Sequence, residues 1–451
     1  MYIKRTAQLK LLEEQYALPG NNLVILYGRK GMGKTTILSE FLEDKPEAYY
    51  YEATECVDKL QLIFMKQRLS EKQATDHIVD YSELFSEFIG ERKEKTIIVI
   101  DEFHFIMKNS ESFVDAFKLL GINSGSVMFV LCSSSIRWVE NEMISSLGNA
   151  ANYITSYMKL KEFTFVDFVN HFPNSSVETC IQINAVLGGV PEYLRLWKEN
   201  QTVADNIRNI ILDKNCKLIF EPQHFLKMEL RETSVYNTIL STLAEGNRKL
   251  NDLHQKTGFS RAKILVYLKH LIQLDLIEKL VPLNEEGKEN VQKGIYRIKD
   301  NFLHFWYRFV FPNLSELMRE KASSVYNIKI APYLEDYVGE YFSDVCAEFL
   351  KLMNLHQRLP EQILWWDRWY GKNGTIDILA QGDKGNTLLG KCLWKERKAS
   401  ESDYEELAML AAEAGKKPDY CYIFSKGGFT EELRSSIVGN DNIKLIGLED
   451  L

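Results

Sequence analysis

The sequence has few of the features that mark a membrane protein or a disulfide-bonded one. Its apolar runs, such as Leu23–Tyr27, Thr96–Ile100 and Val127–Cys132, are of strand length and far shorter than a bilayer span. The seven cysteines lie far apart and form no C-x-x-C pair, and their odd number favours reduced thiols. Met1–Lys10 lacks the apolar stretch of a signal peptide. We therefore expect a cytoplasmic protein that does not enter the membrane.

The chain also lacks the excess of basic residues that is typical of proteins that coat nucleic acid. Its 55 Lys and Arg residues stand against 63 Asp and Glu residues, a net charge of −8. This balance does not exclude one locally basic module. The length of 451 residues and the hydrophobic content of 45% indicate a globular chain of several domains.

Strand-like and helix-like stretches alternate in the first half of the chain, which predicts an α/β fold with a parallel sheet and covering helices. The pattern then becomes mostly helical, and it mixes again after Pro332. We predict four parts in chain order: a P-loop core over residues 1–160, a helical lid over 161–228, a winged helix-turn-helix with its connector over 229–312, and a second, small α/β domain over 313–451.

A nucleotide-binding motif follows the first strand-like run. Gly28–Thr35 fits the pattern G-x-x-x-x-G-K-S/T and precedes the helical stretch Thr36–Leu42. Glycines let the backbone N–H groups point at phosphate, Lys34 would bridge the β- and γ-phosphates, and the Thr35 hydroxyl would bind magnesium. The motif predicts ATP and Mg²⁺ as ligands. The predicted nucleotide-binding residues are Gly28, Gly31, Gly33, Lys34, Thr35 and Thr36.

Two further strand ends supply the residues that hydrolysis needs. Thr96–Ile100 delivers Asp101 to the magnesium ion, and Glu102, next in the chain, can act as general base on the attacking water. Val127–Cys132 leads to Ser134, which suits a polar sensor beside the γ-phosphate and equally suits a helix cap. We therefore predict an ATPase with Asp101 and Thr35 at the metal, and with Glu102, Lys34 and Ser134 as the catalytic residues.

These residues, together with Gly188–Leu194, resemble the archaeal-type ATPase family of P-loop proteins. The resemblance implies a sheet of the ASCE type, related to AAA+ and STAND ATPases, then a helical lid, a winged helix and a C-terminal domain related to PD-(D/E)XK nucleases. This sequence departs from the family in one respect. The family carries an arginine just before the strand that is predicted here at Tyr153–Leu160, but Asn152–Thr155 contains no arginine. Such an arginine is then either absent, as in a slow switch, or supplied by Arg137 or Arg195.

The middle part has the pattern of a DNA-binding module. Glu229–Asp300 holds twelve Lys and Arg residues against ten Asp and Glu residues. Three helices are predicted, at Tyr236–Ala244, Leu250–Thr257 and Ser260–Leu274, with a wing-like hairpin around Leu283–Lys293. The third helix offers Arg261, Lys263 and Lys269 for contact with DNA phosphates. A module used only for packing or for protein contacts fits the same pattern.

The C-terminal part resembles the nuclease core without its full set of acids. Such a core needs an acid on one strand and E-x-K on the next. Asp377 is present, but Lys391 and Leu393 occupy the positions of the Glu and the Lys, and Ser343 replaces an acid on the preceding helix. We expect Lys391 to form an ion pair with Asp377, and the domain to make contacts rather than cut.

A literal E-x-K occurs at Glu396–Lys398, but it lies five residues beyond the position that a nuclease core requires. We predict that it is a solvated charge run.

The whole pattern predicts an ATP-driven switch that engages DNA or a protein partner, the latter through the C-terminal domain. Two alternatives are an ATP-dependent nuclease with displaced acids and a STAND-like scaffold that binds no nucleic acid. The sequence leaves open whether the chain forms an oligomer.

Overall fold

A computed structural model describes residues 5–69, 80–89, 94–107, 110–122, 126–280, 294–319 and 321–451. The chain forms two compact units. The first comprises Met1–Glu162 with Val190–Glu192, and the second comprises Phe163–Gly189 with Tyr193–Leu451. The finer division into four parts stays a prediction. Within the described ranges, every helix is too short or too polar to span a bilayer.

The first unit is built on a five-stranded parallel sheet, as predicted. Its strands are β1 (Asn22–Tyr27), β2 (Ala48–Glu52), β3 (Thr96–Asp101), β4 (Val127–Ser133) and β5 (Ile154–Lys159). They lie in the order β2-β3-β4-β1-β5, and every pair is parallel. Because β1 and β3 both flank β4, the carboxyl ends of these three strands meet at one edge of the sheet.

Helices cover both faces of this sheet. They are α1 (Thr6–Ala17), α2 (Lys34–Leu42), α3 (Asp58–Leu69), α4 (Tyr81–Ile89), α5 (His104–Met107), α6 (Glu111–Ala116), α7 (Leu119–Ile122), α8 (Ile136–Asn141) and α9 (Met143–Leu147). Strands β3 and β4 are buried at every residue, which explains their continuous apolar sequence. An aromatic cluster of Phe85, Phe113, Phe117 and Phe129, with ring centroids 5.0–6.3 Å apart, packs on one face.

The second unit begins with helices and continues with a small antiparallel pair of strands. Its first elements are α10 (Phe165–His171), α11 (Val177–Leu187), α13 (Val203–Asn206), α14 (Glu221–Glu229), α15 (Thr233–Ala244), α16 (Leu250–Thr257), α17 (Arg261–Gln273), β6 (Ile277–Leu280) and β7 (Ile295–Ile298), while the short helix α12 (Pro191–Leu194) has residues in both units. Strands β6 and β7 pair antiparallel, and Lys249 bridges to Ile295 beside them. The hairpin predicted around Leu283–Lys293 lies outside the described residues.

A separate small sheet completes the second unit, as predicted. Its elements are α18 (Asn301–Phe305), α19 (Leu314–Leu317), α20 (Ala322–Val325), α21 (Ala331–Leu355), β8 (Ile363–Tyr370), β9 (Thr375–Gly382), β10 (Thr387–Leu393), α22 (Glu401–Glu413), β11 (Tyr420–Ser425), α23 (Glu431–Ser436) and β12 (Ile443–Ile446). The order is β12-β11-β10-β9-β8; β8, β9 and β10 run antiparallel, and β10, β11 and β12 run parallel.

Candidate nucleotide-binding site

The loop between β1 and α2 has a backbone that requires glycine. Gly28, Gly31 and Gly33 have φ angles of 156°, 85° and 84°. A Cβ atom on Gly28 would lie 2.7 Å from the Leu160 carbonyl oxygen, and one on Gly31 would lie 2.8 Å from Glu192 Oε2. Two of the three glycines thus combine a backbone angle that L-residues rarely adopt with a neighbour that leaves no room for a side chain.

Lys34 is the first residue of α2, and its side chain turns back into the loop. Its ammonium group donates to the carbonyl oxygens of Gly28 at 2.7 Å and of Arg29 at 3.3 Å, and the residue is buried. Gly33 precedes the helix and gives it no side-chain cap. The helix terminus and the ammonium group therefore present positive potential to the same loop, which suits a bound phosphate.

Asp101 lies at the end of β3 and shares one oxygen between two hydroxyl donors. Its Oδ2 is 3.4 Å from Thr35 Oγ1 and 2.6 Å from the Tyr50 hydroxyl. Strand β2 brings Tyr50 to this place because it pairs with β3. Burial and the Asp101 carboxylate raise the pKa of Tyr50, so its hydroxyl stays a donor at neutral pH. The structure thus brings together the two predicted metal ligands, Thr35 and Asp101.

Glu102 is held by groups at the end of β4. Its Oε2 accepts from the Ser134 N–H at 2.9 Å and from the Ser134 hydroxyl at 2.8 Å, and lies 3.3 Å from His104 Nδ1. Ser133 Oγ lies 3.1 Å from the same imidazole nitrogen. Glu102 also has a φ of 52°, a sparsely populated backbone conformation that tends to occur at functional sites. Ser134 therefore contacts the predicted general base.

Three residues that sequence reasoning missed complete this edge. Tyr50 and His104 contact the two acids, and Arg5 supports the loop, since its Nη2 donates to the carbonyl oxygens of Met32 at 3.0 Å and of Lys161 at 2.8 Å. No sequence motif marks them: strand pairing brings in Tyr50, the turn after Glu102 brings in His104, and Arg5 reaches the loop from just before α1. Thr36 lies exposed in the first turn of α2. Of the two arginines considered for catalysis, Arg137 is half-buried on α8 and Arg195 is exposed.

The residues predicted to touch DNA all lie exposed on α17. Arg261 Nε donates to Asn251 Oδ1 at 2.9 Å, and the Lys263 ammonium group lies over the ring of Phe259. The same helix also exposes Leu265 and Val266. The face therefore carries both basic and apolar side chains.

Asp377 lies on β9 beside a network of ion pairs. The expected pair between Lys391 and Asp377 is wrong: Lys391 Nζ lies 3.0 Å from Glu406 Oε1, and Asp377 Oδ2 accepts the Cys392 N–H at 2.8 Å. Helix α22 supplies Glu406, and its position was not evident from the sequence. Burial raises the pKa of Asp377, and the Cys392 N–H opposes the shift only in part.

An arginine that the sequence did not single out reaches the same place. Arg368 on β8 donates through Nη2 to Ser343 Oγ at 2.5 Å and to Asp344 Oδ1 at 2.9 Å, and through Nε to the Asp377 carbonyl oxygen at 3.1 Å. Arg297 also donates to Asp344. Burial alone would raise the pKa of Asp344, but the two guanidinium groups outweigh it and hold that pKa below its usual value.

The second E-x-K, at Glu396–Lys398, lies beyond β10, which ends at Leu393. All three residues are exposed, and the Glu396 side chain is 85% exposed. Glu396 Oε1 also lies 2.7 Å from the ammonium group of Lys426, which is bound by Glu178 and Glu335 as well. Arg397 pairs with Asp403 at 2.6 and 2.7 Å. These contacts join α11, α21 and α22 within the second unit.

Two parts of the chain match known family profiles. Residues 2–196 match a family profile described as an ATPase domain predominantly from Archaea. The first part of the chain is therefore similar to ATPase domains that occur predominantly in Archaea. Residues 306–405 match a second profile, described as Archaea bacterial proteins of unknown function.

Individual proteins are also similar to this chain. An uncharacterised protein of Methanocaldococcus jannaschii is 29% identical over 403 residues, 88% of each chain. An uncharacterised ATP-binding protein of the same archaeon is 42% identical over 45 residues, which are 10% of this chain and 76% of that protein. The Walker-type ATPase of Pyrococcus abyssi has a TM-score of 0.51 at 15% identity, over 68% of this chain and 96% of that one. This last likeness concerns the fold alone.

Proposed function

We propose that this protein is a magnesium-dependent ATPase that works as a nucleotide-driven switch. The observation that carries the proposal is the meeting of Lys34, Thr35, Asp101 and Glu102 at one edge of the first sheet. The glycine-rich loop and Lys34 would hold the phosphates of ATP, and the first turn of α2, which includes Thr36, would add N–H donors.

The residues present fit a magnesium ion. The Thr35 hydroxyl and the Asp101 carboxylate are hard oxygen donors, and they lie 3.4 Å apart. A magnesium ion bound there would neutralise charge on the phosphoryl group that is transferred. Tyr50 would keep Asp101 Oδ2 in place by its hydrogen bond of 2.6 Å.

Glu102 is the group that would activate water. Ser134 anchors Oε2, and no described residue donates to Oε1, so that this oxygen can accept a proton from water. As the proton leaves, the water oxygen bonds to the γ-phosphorus, and the bond from phosphorus to the ADP oxygen breaks. His104 and Ser134 would orient the carboxylate rather than touch the substrate.

ATP turnover tests this proposal. Lys34→Ala should abolish nucleotide binding, whereas Glu102→Gln should bind ATP normally and lose hydrolysis by about a hundredfold or more. Lys30→Ala is a matched control, since Lys30 is an exposed lysine of the same loop. Equal turnover by Glu102→Gln and the parent would show that Glu102 is not the base.

The second unit would couple this cycle to a partner. We propose that residues 161–228 form a lid and that 229–312 form a winged helix, supported by three helices followed by an antiparallel strand pair. Arg261, Lys263 and Lys269 would contact DNA phosphates. A protein partner is the second candidate, since α17 exposes Leu265 and Val266 between those basic residues.

A salt series separates the two candidates. The triple variant Arg261→Ala, Lys263→Ala, Lys269→Ala should weaken DNA binding. It should also reduce the slope of log affinity against log salt by about one for each of the three side chains that binds a phosphate in the parent. Fluorescence anisotropy with a labelled duplex measures both. An unchanged slope, or no binding by the parent, would favour the protein partner.

We also propose that residues 313–451 form a nuclease-like domain that does not cut. The support is the guanidinium group of Arg368, which contacts Ser343 and Asp344 where a metal-dependent nuclease would need carboxylates facing a cation. A fixed positive charge repels a divalent ion from that position. The expected result is no magnesium- or manganese-dependent cleavage of duplex or single-stranded DNA. Cleavage that is lost in both Asp377→Ala and Glu396→Ala would overturn this.

A further inference from the structure

A cavity of about 210 Å³ lies within the second unit, at Asp377 and Arg368. Its walls come from the segment between α15 and α16, from β7, from α18 and α21, and from β8 and β9. Cavities of about 150 Å³ hold a molecule as large as benzene. This one has room for a small ligand, and its lining is largely polar.

The charged groups of the lining are unequally satisfied. Arg248, whose side chain is 31% exposed, gives Nη2 to Glu340, and no other described residue accepts from its guanidinium group. Arg368 uses Nε and Nη2 on protein acceptors, and the described residues offer no acceptor to its Nη1. Arg297, by contrast, is fully engaged by Glu278 and Asp344. Two arginines therefore keep donors for a ligand.

Neutral donors and two acids complete the cavity. Thr375 and Tyr370 line it with hydroxyl groups that have no hydrogen bond to the described residues. Burial lowers the pKa of His304 to about 4, so its imidazole is uncharged at neutral pH. Glu340 and Asp377 are the acids of the lining; the first is tied to Arg248 and the second to the Cys392 N–H. The lining thus has three arginines and two carboxylates, and Glu278 and Asp344 beside it already engage Arg297.

We propose that this cavity binds the phosphate group of a small phosphorylated ligand between Arg248 and Arg368. Guanidinium groups match phosphate geometry with parallel N–H donors, and the hydroxyl groups of Thr375 and Tyr370 would add neutral hydrogen bonds. The small volume, about 210 Å³, favours a free phosphate ester over the backbone of a duplex. This site goes beyond the proposed ATPase function and does not depend on it.

A ligand held there would bridge two parts of the second unit. Arg248 lies between α15 and α16, whereas Arg368 lies on β8 of the small sheet. The pairs Arg248–Glu340 and Arg297–Asp344 already join these parts. A phosphate that binds the remaining donors of Arg248 and Arg368 would add a further link to this junction.

Calorimetric titration with pyrophosphate tests the site in the full-length Lys34→Ala protein, in which the P-loop is disabled. Saturable binding is expected. Arg248→Gln and Arg368→Gln should each weaken it by about tenfold or more, whereas Arg319→Gln, which removes an exposed arginine outside the cavity, should not. Arg248 is half-exposed, so Arg248→Gln remains informative if Arg368→Gln fails to fold.

The outcomes are distinct. Binding that is weakened by Arg248→Gln and retained by Arg319→Gln supports the site. No binding by the parent background at millimolar pyrophosphate, or equal binding by Arg248→Gln, overturns it. Binding of a short DNA duplex that requires Arg248, without binding of pyrophosphate, would assign the phosphate to a nucleic acid backbone and also overturn the small-ligand proposal.

Discussion

Two aspartates at strand positions of two different sheets have opposite surroundings. Asp101 meets the hydroxyl groups of Thr35 and Tyr50, neutral donors that leave its negative charge uncompensated. Asp377 lies beside Arg368 and near Asp344, whose charge is already shared by two guanidinium groups. The carboxylate of Asp101 can therefore bind a metal ion, whereas the surroundings of Asp377 already contain fixed positive charges.

The comparison shows that an acid on a strand does not identify a metal site. What decides is the charge of the groups that surround it. Hydroxyl groups can turn a lone pair toward a cation, whereas a guanidinium group has only donors and repels it. The following substitutions sharpen this contrast, and they run from the largest expected effect to the smallest.

Asp344→Asn should destabilise the second unit, since Arg297 and Arg368 lose their shared carboxylate. Breaking a buried pair costs about 3–5 kcal/mol, but the Asp344 side chain is 36% exposed, so we expect a loss of about 2 kcal/mol at pH 7 in a denaturant titration. The lowered pKa of Asp344 contributes stability that is present above its unfolded-state pKa of about 3.9.

That contribution is lost as the pH falls through the folded-state pKa of Asp344. The difference between Asp344→Asn and the parent should therefore shrink below about pH 4. A difference that stays constant down to the acid transition would mean that the carboxylate charge is not what the two arginines require.

Ser134→Ala should lower kcat by about tenfold at an unchanged affinity for ATP, because Glu102 Oε2 loses its hydroxyl donor and keeps only the N–H of residue 134. Ser135→Ala is the matched control, since the Ser135 hydroxyl has no bond to the described residues. Steady-state turnover and equilibrium nucleotide binding together check this. Equal kcat values for the two variants would remove Ser134 from the mechanism.

Tyr50→Phe should raise the magnesium concentration needed for half-maximal turnover by about fivefold, since Asp101 Oδ2 loses its 2.6 Å hydrogen bond. Tyr51→Phe, at the next position of β2, removes a hydroxyl that donates to the Gln61 carbonyl oxygen instead. A magnesium titration of both variants separates positioning of the metal ligand from general loss of packing. The same shift in both would contradict the role given to Tyr50.

Asp377→Asn should change the unfolding free energy by less than about 1 kcal/mol, and toward stability at pH 7. The raised pKa of Asp377 means that its contribution is present below about pH 3.9 and is lost as the pH rises through the folded-state pKa. The variant and the parent should thus converge in acid. A clear loss of stability at pH 7 would show that the Asp377 charge is paired after all.

The sequence predicted those parts of the site whose residues are adjacent in the chain. Gly28–Thr35 is one uninterrupted motif, and the apolar run before Asp101 indicates both a strand and its end. Tyr50 and His104 could not be found this way, because pairing of β2 with β3 and the contact of α5 with the end of β4 decide their positions. Arg5 could not be found either, because its acceptors, Met32 and Lys161, are distant in the sequence. Arg368 was missed for the same reason, and Lys391 was assigned the wrong partner because α22 brings Glu406 to it.

The magnesium dependence of ATP turnover tests the central contrast most directly, with the same Asp→Asn change made at positions 101 and 377. We predict that Asp101→Asn lowers turnover by about a hundredfold or more at every magnesium concentration, since the metal loses its carboxylate ligand. Asp377→Asn should follow the parent curve. Parent-like turnover by Asp101→Asn, or a shifted magnesium dependence in Asp377→Asn, would contradict the account.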